Sequence, residues 1–217
     1  MADKPIIFSA AMVRALLEGR KSQTRRVLKP QPELYHEGRW HVYGRGGGCA
    51  GLHTDDVAEV ALDYIPYAKG DLLWVREAWR TAAAVDDAPP RDLVPGLRPL
   101  SYEADYDREP NDGCRGRLRP SIHMPRWASR ISLKVTGVRV QRLQEISEED
   151  ALAEGVDPLD SQLVSWHAEW SCDGKRIIET ETRTRVPAFQ RLWETLHGPG
   201  SWDANPWCCA ISFERVQ

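Results

Sequence analysis

The chain predicts an α+β fold in which strands dominate: a small, partly open β-barrel with helices flanking or plugging it. Three observations lead there. The run Ile131 to Val135 alternates apolar and polar residues cleanly, as a half-buried strand does, and continues through Val138 and Val140 to Leu143. Shorter strand-like runs stand on either side of it, at Thr24 to Val27, Leu72 to Trp79 and Trp207 to Val216. The helical patterns between them are short and separately capped. The 217 residues suit a single domain over 1–217, interrupted by polar, Pro- and Gly-rich insertions at about 29–68, 81–120 and 158–185.

In order, Ile6-Ile7-Phe8 is a short apolar run and Ser9 is placed to cap the helix after it. Val13, Leu16 and Leu17 recur at i, i+3 and i+4, and Gly19 ends that helix in the left-handed conformation. Lys69-Gly70-Asp71 is a turn into the strand at Leu72, on which Leu73, Val75 and Glu77 share a face. A short strand is expected within Leu100 to Tyr106. Ser147-Glu148-Glu149-Asp150 combines a hydroxyl cap with first-turn acids, and Gly155 closes the helix so started. Glu154 therefore falls in its last turn, where the dipole disfavours a carboxylate unless it faces a cation. Pro187 starts another helix with Phe189, Leu192, Trp193 and Leu196 in one stripe. On the last strand Trp207, Cys209, Ile211 and Phe213 share a face.

Composition excludes several classes. A net charge of −3 gives no overall basic field, so nucleic acid would have to be held by a local patch. Five cysteines without a C-x-x-C pair argue for a reducing, cytoplasmic setting and against a disulfide framework or zinc site. The six histidines fit no ligand spacing, so neither metal nor cofactor is expected. No run approaches membrane-spanning length. Gly46-x-Gly48-x-x-Gly51 matches a dinucleotide fingerprint formally, but lacks the strand before and the helix after that make the motif bind phosphate.

The chemistry concentrates in Gly19-Arg20-Lys21-Ser22-Gln23-Thr24-Arg25-Arg26, which crowds four cations around one threonine hydroxyl. Arg25 and Arg26 keep their protons, so their field favours a neutral Lys21, and a neutral lysine beside a hydroxyl is a base beside a nucleophile. The residues alone equally allow a basic helix exit that complements the dipole and binds phosphate.

Taken in order, Gly19-Arg20-Lys21-x-x-Thr24-x-Arg26, Lys69-Gly70-Asp71-x-Leu73-x-Val75, the long strand, Ile146-Ser147-Glu148-Glu149-x-Ala151-x-x-Glu154-Gly155 and the closing Phe213-Glu214-Arg215-Val216 resemble an ASCH domain. That is a β-barrel related to the PUA family of RNA-binding domains. Trp74-Val75-Arg76-Glu77 and Ser201-Trp202-Asp203-Ala204-Asn205-Pro206-Trp207 resemble longer forms common in phages and prophages. The resemblance covers both ends of the chain but not the insertions.

Small bacterial members of the family are amidohydrolases that deacylate N4-acetylcytidine. The resemblance implies Lys21, Thr24 and Glu154 as the catalytic residues. Thr24 attacks the acyl carbonyl, Lys21 takes its proton, and Glu154 orients Lys21 or helps protonate the departing amine. Arg26 or backbone N–H groups hold the oxyanion, Glu77 accepts from a base edge, and Trp79 or Trp127 stacks on the pyrimidine. The expected partner is a small nucleoside or nucleobase, with RNA possible and the chain a monomer or weak dimer. Two competing functions are a non-catalytic RNA-binding PUA-like module and a phage-related interaction protein.

Overall fold

The computed structural model describes residues 2–34, 39–42, 56–96, 99–105, 115–156, 164–167 and 180–216. In chain order the elements are β1 (Asp3–Ile7), α1 (Ala10–Leu17), β2 (Gln23–Val27), β3 (Glu33–Leu34), β4 (Trp40–His41), α2 (Val57–Leu62), β5 (Leu72–Arg76), β6 (Trp79–Arg80) and β7 (Ser101–Tyr102). They continue with β8 (Ser132–Arg142), α3 (Glu148–Ala153), β9 (Val164–His167), β10 (Thr180–Arg183), α4 (Val186–His197) and β11 (Trp207–Arg215), with short 3-10 turns among them. The fold is α+β: helices accompany a mixed five-stranded sheet of order β1-β5-β8-β11-β2. Among the described residues this order does not close on itself. The glycine motif at Gly46 to Gly51 lies outside the described residues, as does most of the 158–185 stretch.

The chain divides into two compact units, residues 1–22, 65–139 and 211–217 in the first and 23–64 with 140–210 in the second. In the first, Ser9 caps α1 by accepting from the Met12 N–H at 3.4 Å, and Val13 and Leu16 are buried. Gly19 leaves the helix at φ +74, the left-handed conformation that favours glycine. The Ile6 run proves to be a strand, β1, paired parallel with β5 so that Ile6 lies opposite Val75. Asp71 in the predicted turn ties this pair together. Its carboxylate accepts from the Ala2 N–H at 3.0 Å, the Lys4 ammonium at 2.5 Å and the Ala68 N–H at 3.1 Å.

The Lys4 bond, then the two backbone donors, hold the Asp71 carboxyl down at about 2, from an ordinary 3.8. A depressed carboxylate stabilises the fold above its unfolded value, and that contribution is lost as pH falls through the folded one. Stability of the wild type is therefore expected to fall between pH 3.8 and about 2. Asp71→Asn should flatten this part of the curve. Denaturant midpoints taken across that range check it, and identical slopes in both proteins would contradict it.

The 81–120 stretch, expected as a surface insertion, supplies core. Trp79, Leu93, Met124 and Ala128 form a buried cluster, with Val85, Leu100 and Trp127 packed against it. The strand expected across Leu72 to Trp79 is broken at Glu77 and Ala78, and the one expected near Leu100 is only β7 followed by a 3-10 turn.

In the second unit Ser147 caps α3, accepting from the Asp150 N–H at 3.1 Å, and Pro187 sits in the first turn of α4. The apolar faces of both helices meet in a cluster that includes Leu143, Ile146, Ala151, Phe189, Trp193 and Cys208. Leu196 leaves the predicted stripe: it is 46 % exposed, one residue from the end of α4.

Candidate functional site

Lys21, Glu77, Trp79 and Trp127 belong to the first unit, and Thr24, Arg26 and Glu154 to the second. Lys21, Thr24 and Glu154 are all buried, at 4 %, 1 % and 4 % exposure.

In the first unit Lys21 follows Gly19, its N–H bonded to the Ala15 carbonyl at 3.1 Å, and its ammonium lies 5.7 Å from the centre of the Phe8 ring. Glu77 lies just beyond β5 and is wholly buried. Its two carboxylate oxygens accept from Arg130 Nε and an Arg130 terminal nitrogen at 2.9 and 3.0 Å. Arg130 also pairs with Asp105 and lies over the Tyr102 ring at 3.9 Å. Burial pushes the Glu77 carboxyl up, Arg130 pulls it back and Asp105 adds to the rise. Engaged on both oxygens, the Glu77 carboxylate is a structural partner of Arg130.

Trp79 is likewise engaged within the first unit. At 0 % exposure it has no open face for a pyrimidine, because it centres the core cluster, edge-on to Trp127 at 6.2 Å. Trp127 is half-buried and keeps part of its ring accessible.

In the second unit β2 carries Thr24, Arg25 and Arg26. Arg25, expected only as part of a cationic field, has a side chain with 0 % exposure and organises a buried polar cluster. It donates to Gln23 Oε1 at 2.6 Å, Glu154 Oε1 at 3.0 Å and Asp150 Oδ2 at 2.7 Å, while Gln23 Nε2 donates to Asp150 Oδ1 at 3.1 Å. Its guanidinium also stands 5.8 Å from the Phe189 ring centre. Glu154 is the C-cap of α3, so the cation that its position on the helix called for is supplied here by Arg25.

Strand alternation sets Gln23 and Arg25 on the face that meets the carboxylates of α3, and Thr24 and Arg26 on the other. Within this unit Glu154 is therefore brought to Arg25.

Arg26 is half-buried, and its charge is felt by two neighbours. Burial first, then Arg26 and Lys29, lowers the His197 imidazole, while Arg26 opposes the rise that burial imposes on the Cys209 thiol. The Cys208 thiol is pushed up to about 12, mainly by burial and by Cys209, which makes it a poor nucleophile.

Arg25 is the residue that sequence reasoning missed. The signal was present in Asp150 and Glu154, spaced i, i+4 on one face of a short helix and in need of a cation. Among the described residues no group of three or more His, Cys, Asp or Glu is placed to hold a metal ion, and no helix is long and apolar enough to cross a membrane. No family model, no curated protein and no solved structure matches the chain.

Proposed function

We propose that the chain is an amidohydrolase that removes the acyl group from N4-acylated cytosine or cytidine, built on the ASCH-type barrel that its motifs resemble. The observation that supports this is that Lys21, Thr24 and Glu154, the three residues the resemblance implies, are each buried. A general base profits from a setting poor in water, because burial favours the neutral form of a lysine.

In this mechanism Thr24 Oγ1 attacks the acyl carbon as its proton passes to the neutral Lys21 amine. The oxyanion is held by Arg26 or by backbone N–H groups. The C–N bond then breaks, the exocyclic nitrogen of cytosine takes a proton from Lys21, and water hydrolyses the threonine ester. The conjugated amine of cytosine is a better leaving group than an alkyl amine. Glu154 orients Lys21 or helps protonate the departing exocyclic amine. Trp127 is the ring left to stack on the pyrimidine.

Purified protein mixed with N4-acetylcytidine should release cytidine, detected by its absorbance, with unchanged rate after chelation. Absence of cytidine, together with tight RNA binding, would replace the hydrolase by the PUA-like binding module. Because Thr24 is almost sealed from solvent, bulky acyl groups should react more slowly than acetyl. Comparing acetyl with benzoyl cytidine checks that, and a faster benzoyl substrate would contradict it.

A further inference from the structure

One cavity of about 530 Å³ lies within the first unit, bounded by Arg76, Arg91 and His123 and by the rigid rings of Pro89, Pro90 and Pro125. None of Lys21, Thr24 or Glu154 lines it, and neither does any carboxylate. Arg76 and Glu77 are neighbours in the chain, yet only Glu77 meets Arg130. Arg76 lies 4.6 Å from the centre of the Trp74 ring and donates to the Ile122 carbonyl at 3.2 Å. Arg25, Arg80, Arg126 and Arg130 each meet a carboxylate. Among the described residues Arg76 meets none, although it is partly withdrawn from solvent.

Its Nε is buried and, among the described residues, has no hydrogen-bond partner. The guanidinium is also pre-organised, because the stack on Trp74 and the Ile122 carbonyl fix its plane before any ligand arrives. Among the described residues Arg91 is paired only with its neighbour Asp92, at 3.7 Å and with side chains 86 % and 59 % exposed. Such a pair is weak, so the Arg91 charge stays available.

We propose that this cavity binds a phosphomonoester carried on a ring-containing body, as in a nucleoside monophosphate or the 5′-phosphorylated end of an oligonucleotide. Two guanidinium groups and an imidazole complement a dianion with several acceptor oxygens. Free phosphate would leave the proline walls and Ile122, 56 % exposed, uncovered, whereas a base and sugar cover them. The volume falls in the range of small-molecule sites. The site is independent of the hydrolase proposal, so either can fail alone.

Calorimetric titration of the full chain tests it, with adenosine 5′-monophosphate, adenosine, inorganic phosphate and a tetranucleotide with and without a 5′-phosphate. The monophosphate should bind saturably, and adenosine and inorganic phosphate each at least about tenfold more weakly. Arg76→Gln should cost about tenfold or more, and the exposed changes Arg91→Gln and His123→Asn should each weaken binding severalfold without disturbing the fold. Tighter binding of the mononucleotide identifies a free nucleotide as the ligand, and tighter binding of the phosphorylated tetranucleotide identifies a chain end. The proposal is overturned if neither phosphorylated ligand binds, if adenosine matches its monophosphate, or if the three variants bind as the wild type does.

Discussion

Thr24→Ala should reduce acylcytidine hydrolysis at least about a thousandfold, while Thr24→Ser retains a measurable fraction. The serine keeps the attacking oxygen and loses only the methyl that fixes its rotamer, and the alanine has no oxygen to form the ester. Thr24 is buried on β2, so alanine leaves a small cavity there and a modest drop in thermal midpoint should accompany a far larger loss of turnover. Combining Thr24→Ala with Lys21→Arg should cost little beyond either single change, because a nucleophile and its base act as one unit. Strict multiplication of the two losses would show that they act in separate steps. A phosphate-binding patch makes the contrary prediction, since Thr24→Ala would then leave function almost intact.

The second large effect concerns stability. Arg25→Met should cost about 3–5 kcal/mol, because it strips the counter-charge from Asp150 and Glu154 and leaves buried carboxylates uncompensated. Neutralising the acids as well, with Asp150→Asn and Glu154→Gln, should recover much of that loss. The penalty lies in the unpaired charges more than in any net strength of the ion pairs. Urea midpoints of the single and triple variants check this, and a single variant within about 1 kcal/mol of the wild type would contradict it. The cluster also explains why a helix of six residues ends on a buried glutamate. Arg25 supplies the positive charge which the C-terminus of α3 disfavours losing.

What the sequence made legible follows the strength of local signals. Ser9 and Gly19 around α1, Ser147 before α3 and Pro187 in α4 are chemical marks whose effect is local, and each element formed where they stand. The alternation at the start of β8 reads directly because Leu133 and Val135 are buried while Lys134 and Thr136 are exposed. β1 was not legible as a strand. Its Asp-Lys-Pro start breaks alternation, and its partner β5 is parallel and some seventy residues away in the chain.

Among the site residues, the burial of Arg25, Glu77 and Trp79 was hidden for one common reason. A charged or amphipathic side chain is buried when a partner from elsewhere satisfies it, and Asp150, Arg130 and the Leu93 cluster come from distant segments. The 81–120 stretch looked like surface because its composition is polar. Leu93, however, is enough to anchor it beneath Trp79 in the core.

The central claim, that Lys21 serves as a base, is tested most directly by one comparison: cytidine release from N4-acetylcytidine by the wild type and by Lys21→Arg, with RNA binding measured on the same two samples. Arginine keeps the charge but stays protonated at neutral pH. The account predicts turnover by the wild type, almost none by Lys21→Arg, and little difference between them in RNA binding. Full hydrolytic activity in Lys21→Arg, or no turnover by either protein, would contradict it.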